Sequence, residues 1–142
     1  LGRTLFRRFG VLKLEKIDHI CIAVKDRCAA EARFREVFDI EPDQRYVDDA
    51  EKIDVARYYI GEVGVELVAP TSPDSEVARF IESRGEGLFL LSLKVPDTAE
   101  ALEELKKKPV RLIDDAPRKW GDHGFAFIHP RSMLGVLFEI ID

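Results

Sequence analysis

Two stretches of this chain carry the same pattern, and that repeat limits the fold more than any other feature. DHICIAVKD, Asp18 to Asp26, reads as a strand that ends at an acidic residue and starts a helix. FLLSLKVPD, Phe89 to Asp97, does the same, with its reference position 71 residues further on: His19 in the first copy, Leu90 in the second. In both copies the aspartate lies seven residues past that position. Neither half can close a sheet alone, so two such units must complete one another.

Alternation along the first strand, Glu15 to Val24, puts Ile17, His19, Cys21 and Ala23 on one face and Asp18, Ile20, Ile22 and Val24 on the other. The aliphatic set is expected beneath helices, and the smaller, more polar set on a cavity wall. Asp26 can cap the next helix by accepting its first amide hydrogens. Ala30, Phe34, Val37 and Phe38 form the stripe that this helix would bury. IDVARYYIG and VGVELVAP then read as a hairpin turned by glycine, between Gly61 and Gly64. Ser72-Pro73-Asp74-Ser75 opens a short linker helix, with Val77, Phe80 and Ile81 inward and Gly85 at its end.

The second copy repeats the order. Asp97 caps a helix with Glu100 completing an approximate capping box, Leu102 and Leu105 face inward, and Pro109 ends it. Glu103–Lys107 and Glu104–Lys108 are expected to pair at i, i+4, and strands follow over RLID, GFAFIH and GVLFEIID. The predicted class is α+β: two tandem βαβββ modules, about residues 15–70 and 86–142, forming paired curved sheets around a shared cleft. They make one domain, residues 15–142, behind an N-terminal arm of residues 1–14. Chemistry is expected in the cleft.

Composition excludes several classes. Hydrophobic content of 46% and charged content of 35% suit a soluble globular protein. A net charge of −5 gives no reason to expect nucleic acid, and no run approaches the ~18 apolar residues that span a membrane. Cys21 and Cys28 read as reduced thiols of a cytoplasmic protein. LGRTLFRRFG is basic but lacks the apolar stretch of a secretory signal, so a frayed arm or short docking helix is expected. With Met133 the single methionine, processing or trimming ahead of Leu1 is expected.

Glu66 lies near the centre of the strand closing the first copy, and Glu139 in the strand closing the second, 73 residues on. Pseudo-symmetry therefore gathers His19, Glu66, Leu90 and Glu139 about one centre. A carboxylate among Val, Leu, Phe and Ile is costly without a partner. Two that converge repel unless a cation or a shared proton intervenes, and a metal ion is the simplest such partner. Plainer readings stand beside these: His19 as a satisfied core histidine, Glu139 as an exposed edge residue, Cys21 as a small buried thiol. His123, in a glycine-flanked loop, reads as solvated rather than as a replacement ligand. His129, before Pro130, reads as structural.

The stretches KIDHICIAVKD, VELVAPTSPDSEVARFIESRGEGL, VRLIDDAPR and FIHPRSMLGVLFEIID resemble the vicinal oxygen chelate (glyoxalase/bleomycin resistance) superfamily, and within it the methylmalonyl-CoA epimerases. The resemblance covers nearly the whole chain. It implies a divalent ion (cobalt, manganese, zinc or nickel) at the positions of His19, Glu66, Leu90 and Glu139. Leucine cannot ligate, so His19, Glu66 and Glu139 remain. Where the family usually reads GLHHI, this chain reads GLFLL. A proton-transferring glutamate of some epimerases falls at Val55, with Glu51 and Asp54 close in sequence.

The implied chemistry is removal and return of the α-proton of a 2-substituted malonyl-CoA-type thioester, with metal stabilising the enolate. Glu66 and Glu139 take the catalytic assignment. Arg57, on the face of Val55, is expected at a substrate carboxylate, or else as a rim arginine. Arg118 and Lys119, with Trp120, are expected at the phosphates and ring of an acyl-CoA, or else in a charged loop. A homodimer is implied. The competing functions are a non-catalytic or divergent small-molecule-binding protein with an incomplete metal site, and a lactoylglutathione-lyase-like enzyme. Metal content discriminates the first from the isomerase.

Overall fold

Each of the three α-helices among the described residues starts where the sequence supplies a cap. Asp26 accepts from the Ala29 amide ahead of α1 (Arg27–Phe38), Ser75 from Ala78 ahead of α2 (Glu76–Arg84), and Asp97 from Glu100 ahead of α3 (Thr98–Lys106). These features belong to a computed structural model that describes residues 12–142, so most of the arm read at residues 1–14 lies outside the described residues. The strands are β1 (Lys16–Ala23), β2 (Gln44–Asp48), β3 (Ile53–Ile60), β4 (Val63–Pro70), β5 (Gly87–Lys94), β6 (Arg118–Trp120), β7 (His123–Ile128) and β8 (Phe138–Ile141). The order is βαβββ, a linker helix, then βαβββ, as the repeat predicts. No described helix is long and apolar enough to cross a membrane.

The chain divides into two compact units: Asp18–Leu91, and Ser92–Asp142 with the described residues up to Ile17. In the first unit the hydrogen-bonded order is β2-β3-β4-β1-β5, with β1 parallel to β4 and the β2-β3-β4 meander antiparallel. The β3–β4 hairpin turns at Gly61, whose φ of 62° suits a residue without Cβ. Beneath α1, Val24, Ala56, Tyr58, Leu67 and Ala69 form a core joined by Ile22, Ala30 and Phe34.

The expected α1 stripe holds only in part. Ala30 and Phe34 pack on that core, whereas Val37 and Phe38 are exposed. The helix buries Glu31 instead. Arg45 of β2 grips its carboxylate through Nη2 at 2.6 Å and Nε at 3.1 Å, and Arg27 adds a further contact. Charge pairing makes that burial tolerable.

In the second unit β8, β7 and β6 follow the C-terminal end of β5. Val95, Ala101, Leu102, Leu105, Ala126, Ile128 and Ile140 form its core under α3. RLID is not a strand: only Leu112 bridges, to Ile128, because the Asp114 carboxylate takes the Phe127 amide at 2.9 Å that a full ladder would use. The third strand of this module is RKW. GVLFEIID starts its strand late, at Phe138, since Leu134 and Gly135 turn the chain with φ of 61° and 81°. The α3 ion pairs run at i, i+3, Glu103 to Lys106 at 2.7 Å and Glu104 to Lys107 at 2.9 Å, because the helix ends at Lys106.

Candidate functional site

Strand register in the first unit sorts the residues of its non-helical face into rows. Cys21 stands opposite Glu66, and Glu66 opposite Arg57; His19 stands opposite Gly64, and Gly64 opposite Tyr59. A third row runs through Ala23, Val68, Val55 and Tyr46. Opposed residues share a face, and so do residues two apart. His19, Cys21, Glu66, Arg57 and Tyr46 are thereby brought together, and the face predicted for β1 is the observed one.

Glu66 is 2% exposed, so its partners decide whether the site exists at all. Arg57 Nη1 donates to its Oε2 at 2.7 Å, and the Tyr46 hydroxyl donates to the same oxygen at 3.0 Å. The other oxygen, Oε1, accepts from the Cys21 thiol at 3.4 Å and faces His19 Nε2 at 3.9 Å. His19 Nδ1 is held by Asp18 at 2.8 Å, and Arg57 Nη2 reaches the same Asp18 oxygen at 3.6 Å. One guanidinium thus ties together the carboxylate that orients the histidine and the carboxylate beside it. The sequence suggested a metal as the partner Glu66 needs, but Arg57 already supplies a cation.

Burial pushes the Tyr46 phenol far up, and the charge of Glu66 pushes it further, so Tyr46 stays a hydrogen-bond donor. Burial works against the Arg57 charge, but the hydrogen bond and charge of Glu66 outweigh it, and the guanidinium stays protonated.

The seat of Arg57 is made by an absent side chain. A Cβ on Gly64 would stand 2.4 Å from Arg57 Nη2 and 2.5 Å from Cζ. The guanidinium lies across that gap and over the Tyr59 ring, 4.9 Å from its centroid. Gly64→Ala is therefore expected to displace the guanidinium and leave the backbone in place. The disturbed ion pair should cost about 1–3 kcal/mol, read as a lower urea midpoint with unchanged slope. A midpoint unaltered by the substitution would show that the gap is not what seats Arg57.

Leu90 is buried on β5 and offers no donor atom. Val55 is wholly buried; Asp54 pairs with Arg27 at 2.9 Å, and Glu51 gives its amide to Asp48 at 3.1 Å. In the second unit Glu139 is buried on β8 opposite Phe127. Arg118 pairs with Asp114 at 2.9 Å and stacks 4.7 Å from the Phe127 ring, while Lys119 and Trp120 are exposed on β6. Neither Cys21, which is buried, nor Cys28, which is exposed, is in a disulfide.

Among the described residues, one group of three metal-type side chains has its ligand atoms within 4.8 Å of one another: His19, Cys21 and Glu66. From sequence alone the Cys21 thiol reads as packing. Its signal was the i, i+2 spacing from His19, which became informative only once register set Cys21 against Glu66. Tetrahedral zinc distances imply donor separations of about 3.3–3.6 Å. The sulfur–carboxylate distance of 3.4 Å meets this, and the 3.9 Å from His19 Nε2 to Glu66 needs a small closure. The thiol and the histidine lie within 4.8 Å of one another, so a modest inward turn of His19 would bring all three donors round one divalent ion.

The repeated βαβββ order, with a histidine and a carboxylate side by side on one face of the first module, points to a class, and comparison with known proteins shows which. The chain belongs to the Glyoxalase/Bleomycin resistance protein/Dioxygenase superfamily, whose pattern it matches over residues 18–127. More particularly, it is 34% identical to the protein YqjC of Bacillus subtilis, over 91% of this chain and 93% of that one. It is 29% identical to mitochondrial methylmalonyl-CoA epimerase of Mus musculus, over 92% and 74% of the two chains. A solved methylmalonyl-CoA epimerase in complex with methylmalonyl-CoA and NH4+ superposes with a TM-score of 0.85 at 28% identity, covering 91% of this chain and 94% of its own.

Proposed function

We propose that this chain is an epimerase-like isomerase that removes and returns the α-proton of a 2-substituted malonyl-CoA-type thioester. The observation that supports it best is the pairing of an oriented histidine with a buried, neutralised carboxylate on one face. That pairing stands in a chain whose relatives include methylmalonyl-CoA epimerases. His19 Nε2 and Glu66 Oε1 would hold a divalent ion, and the resemblance adds Glu139 to the donor set. Such an ion supplies Lewis-acid charge to the oxygens beside the acidic carbon.

The chain's own residues supply the rest. Asp18 fixes the His19 ring and its tautomer. Arg57 and Tyr46 hold Glu66 by its outer oxygen, so the inner one keeps its direction. Ala23, Val55 and Val68 give the adjoining row an apolar surface that disfavours water. Of the two carboxylates assigned to proton transfer, Glu66 has one oxygen on the ion and the other under Arg57 and Tyr46, so Glu139 is the base in this reading. Arg118 and Lys119 are the cations assigned to the nucleotide end. A homodimer in the cytoplasm completes the reading.

The test is α-proton exchange of methylmalonyl-CoA in heavy water, with and without chelator, alongside metal content for the parent chain and Glu139→Gln. Exchange that chelator suppresses, with metal lost in the variant, is the expected result. Metal-loaded protein that exchanges nothing sinks the isomerase for this substrate.

A second reading has its own observation. Glu66 is already satisfied by Arg57, and Leu90 and Val55 carry no ligand or base, so the same face could serve a non-catalytic binder. That reading expects acyl-CoA binding with no exchange.

A further inference from the structure

We infer that Cys21 is a further ligand of the site, placing a sulfur donor beside His19 and Glu66 and making the centre selective for zinc-like ions over manganese or magnesium. The inference rests on the metal-binding part of the function proposed above, and not on the substrate. β1 puts His19 and Cys21 two residues apart on one face, and parallel pairing with β4 sets Cys21 directly against Glu66. The three donor atoms lie within 4.8 Å of one another.

What lifts this above a chance cluster is how the outer atoms are used. His19 turns Nδ1 to Asp18, so Nε2 is the atom that faces Glu66. Glu66 gives Oε2 to Arg57 and Tyr46, so Oε1 is the atom that faces the histidine and the thiol. Ligating histidines and carboxylates are commonly anchored in this way by their far atoms. All three residues are buried, which spares the ion's donors competition from water.

A thiolate changes the choice of ion. Sulfur is a soft donor that suits zinc and cobalt, whereas manganese and magnesium prefer oxygen sets. Binding requires the thiol proton to leave, and the sulfur then bonds the metal in place of donating to Glu66 Oε1. Leu90 removes a nitrogen donor from the family pattern, and Cys21 supplies a sulfur donor on β1. The negative charge that sulfur adds is offset by Arg57, which lies within hydrogen-bonding distance of Glu66.

The experiment is cobalt titration of the metal-free chain, followed by optical spectroscopy, with zinc and manganese as competitors. A near-ultraviolet sulfur-to-cobalt band is expected in the parent chain. It should vanish in Cys21→Ser, with cobalt affinity falling by more than the roughly 10–100-fold that loss of an outer-shell partner costs, and persist in Cys28→Ser. Zinc should displace cobalt, while manganese at equal concentration should not. As a check that needs no variant, zinc-edge absorption of the parent chain should show one sulfur at about 2.3 Å. A band that survives Cys21→Ser, a zinc shell without sulfur, or no metal binding at all overturns the inference. Proton exchange separates the two proposals: the sulfur band in a chain that exchanges nothing supports this centre and removes the isomerase. Exchange without the band does the reverse.

Discussion

Replacing Arg57 with methionine is expected to destabilise the metal-free protein by about 3–5 kcal/mol, the usual cost of stripping one partner from a buried ion pair. The Glu66 side chain is 3% exposed and that of Arg57 14%, so the carboxylate cannot turn to water when its cation is removed. Tyr46 and Cys21 would still donate to it, but neither carries a compensating charge. Asp18 would lose its 3.6 Å contact as well, loosening the group that orients His19. Methionine keeps most of the stem's volume, so packing contributes little to the loss.

The control is the double variant Arg57→Met/Glu66→Met, which leaves no orphaned charge and should recover most of the stability. Urea unfolding of the parent, both single variants and the double closes the cycle. A coupling energy near zero would mean that Arg57 and Glu66 do not depend on one another, and the account of the site given above would fail. Zinc bears on the same point from another side. A divalent ion binding only the folded chain stabilises it by mass action, and the gain should be larger for Arg57→Met, where the carboxylate lacks a cation.

This dependence was half legible in the chain. Alternation on β1 gave the face of His19 and Cys21 correctly, because period two needs no knowledge of neighbours. Apolar surroundings gave Glu66 as a residue in need of a partner. The partner's identity depends on register across two strand pairs, which a single sequence does not contain. Arg57 therefore read as a group for the substrate or as a rim arginine, without its partner Glu66, and Gly64 as part of a turn. Gly64 is in fact one position inside β4, where its missing side chain makes room for the guanidinium.

The misread segments have the same origin in side-chain competition for the backbone. RLID has strand composition, yet Asp114 takes an amide that would have extended the ladder. The α1 stripe was drawn from apolar residues alone, so a buried glutamate was invisible to it. Hydrophobic pattern finds the elements and their caps; it does not find polar groups that are buried because an opposite charge is waiting across a strand. Arg57 with Glu66 on one face of the first unit's sheet, and Arg45 with Glu31 on the helical side, are two cases of one blind spot.

The second case yields its own expectation: Glu31→Ala should cost about 2–3 kcal/mol at neutral pH. Glu31 is 4% exposed, and two arginines from separate elements converge on it. Arg45 is half in solvent and can rehydrate, and Arg27 keeps Asp54. The loss should therefore be smaller than at Arg57. Its sign with pH is fixed by the carboxyl's environment. Hydrogen bonds from Arg45 pull the Glu31 pKa down, burial pushes the other way, and the charges of Arg27 and Arg45 tip the balance below the usual value. A folded-state pKa below the unfolded value of about 4.3 means the stabilisation is complete above that pH and is lost as the pH falls through the folded value. The gap between parent and Glu31→Ala should accordingly be widest at pH 7 and shrink below about pH 4. Urea midpoints at pH 7, 5 and 3.5 read it directly. A gap that stays constant across that range would assign the effect to lost packing, and the charge pairing of α1 to β2 would be surplus to the fold.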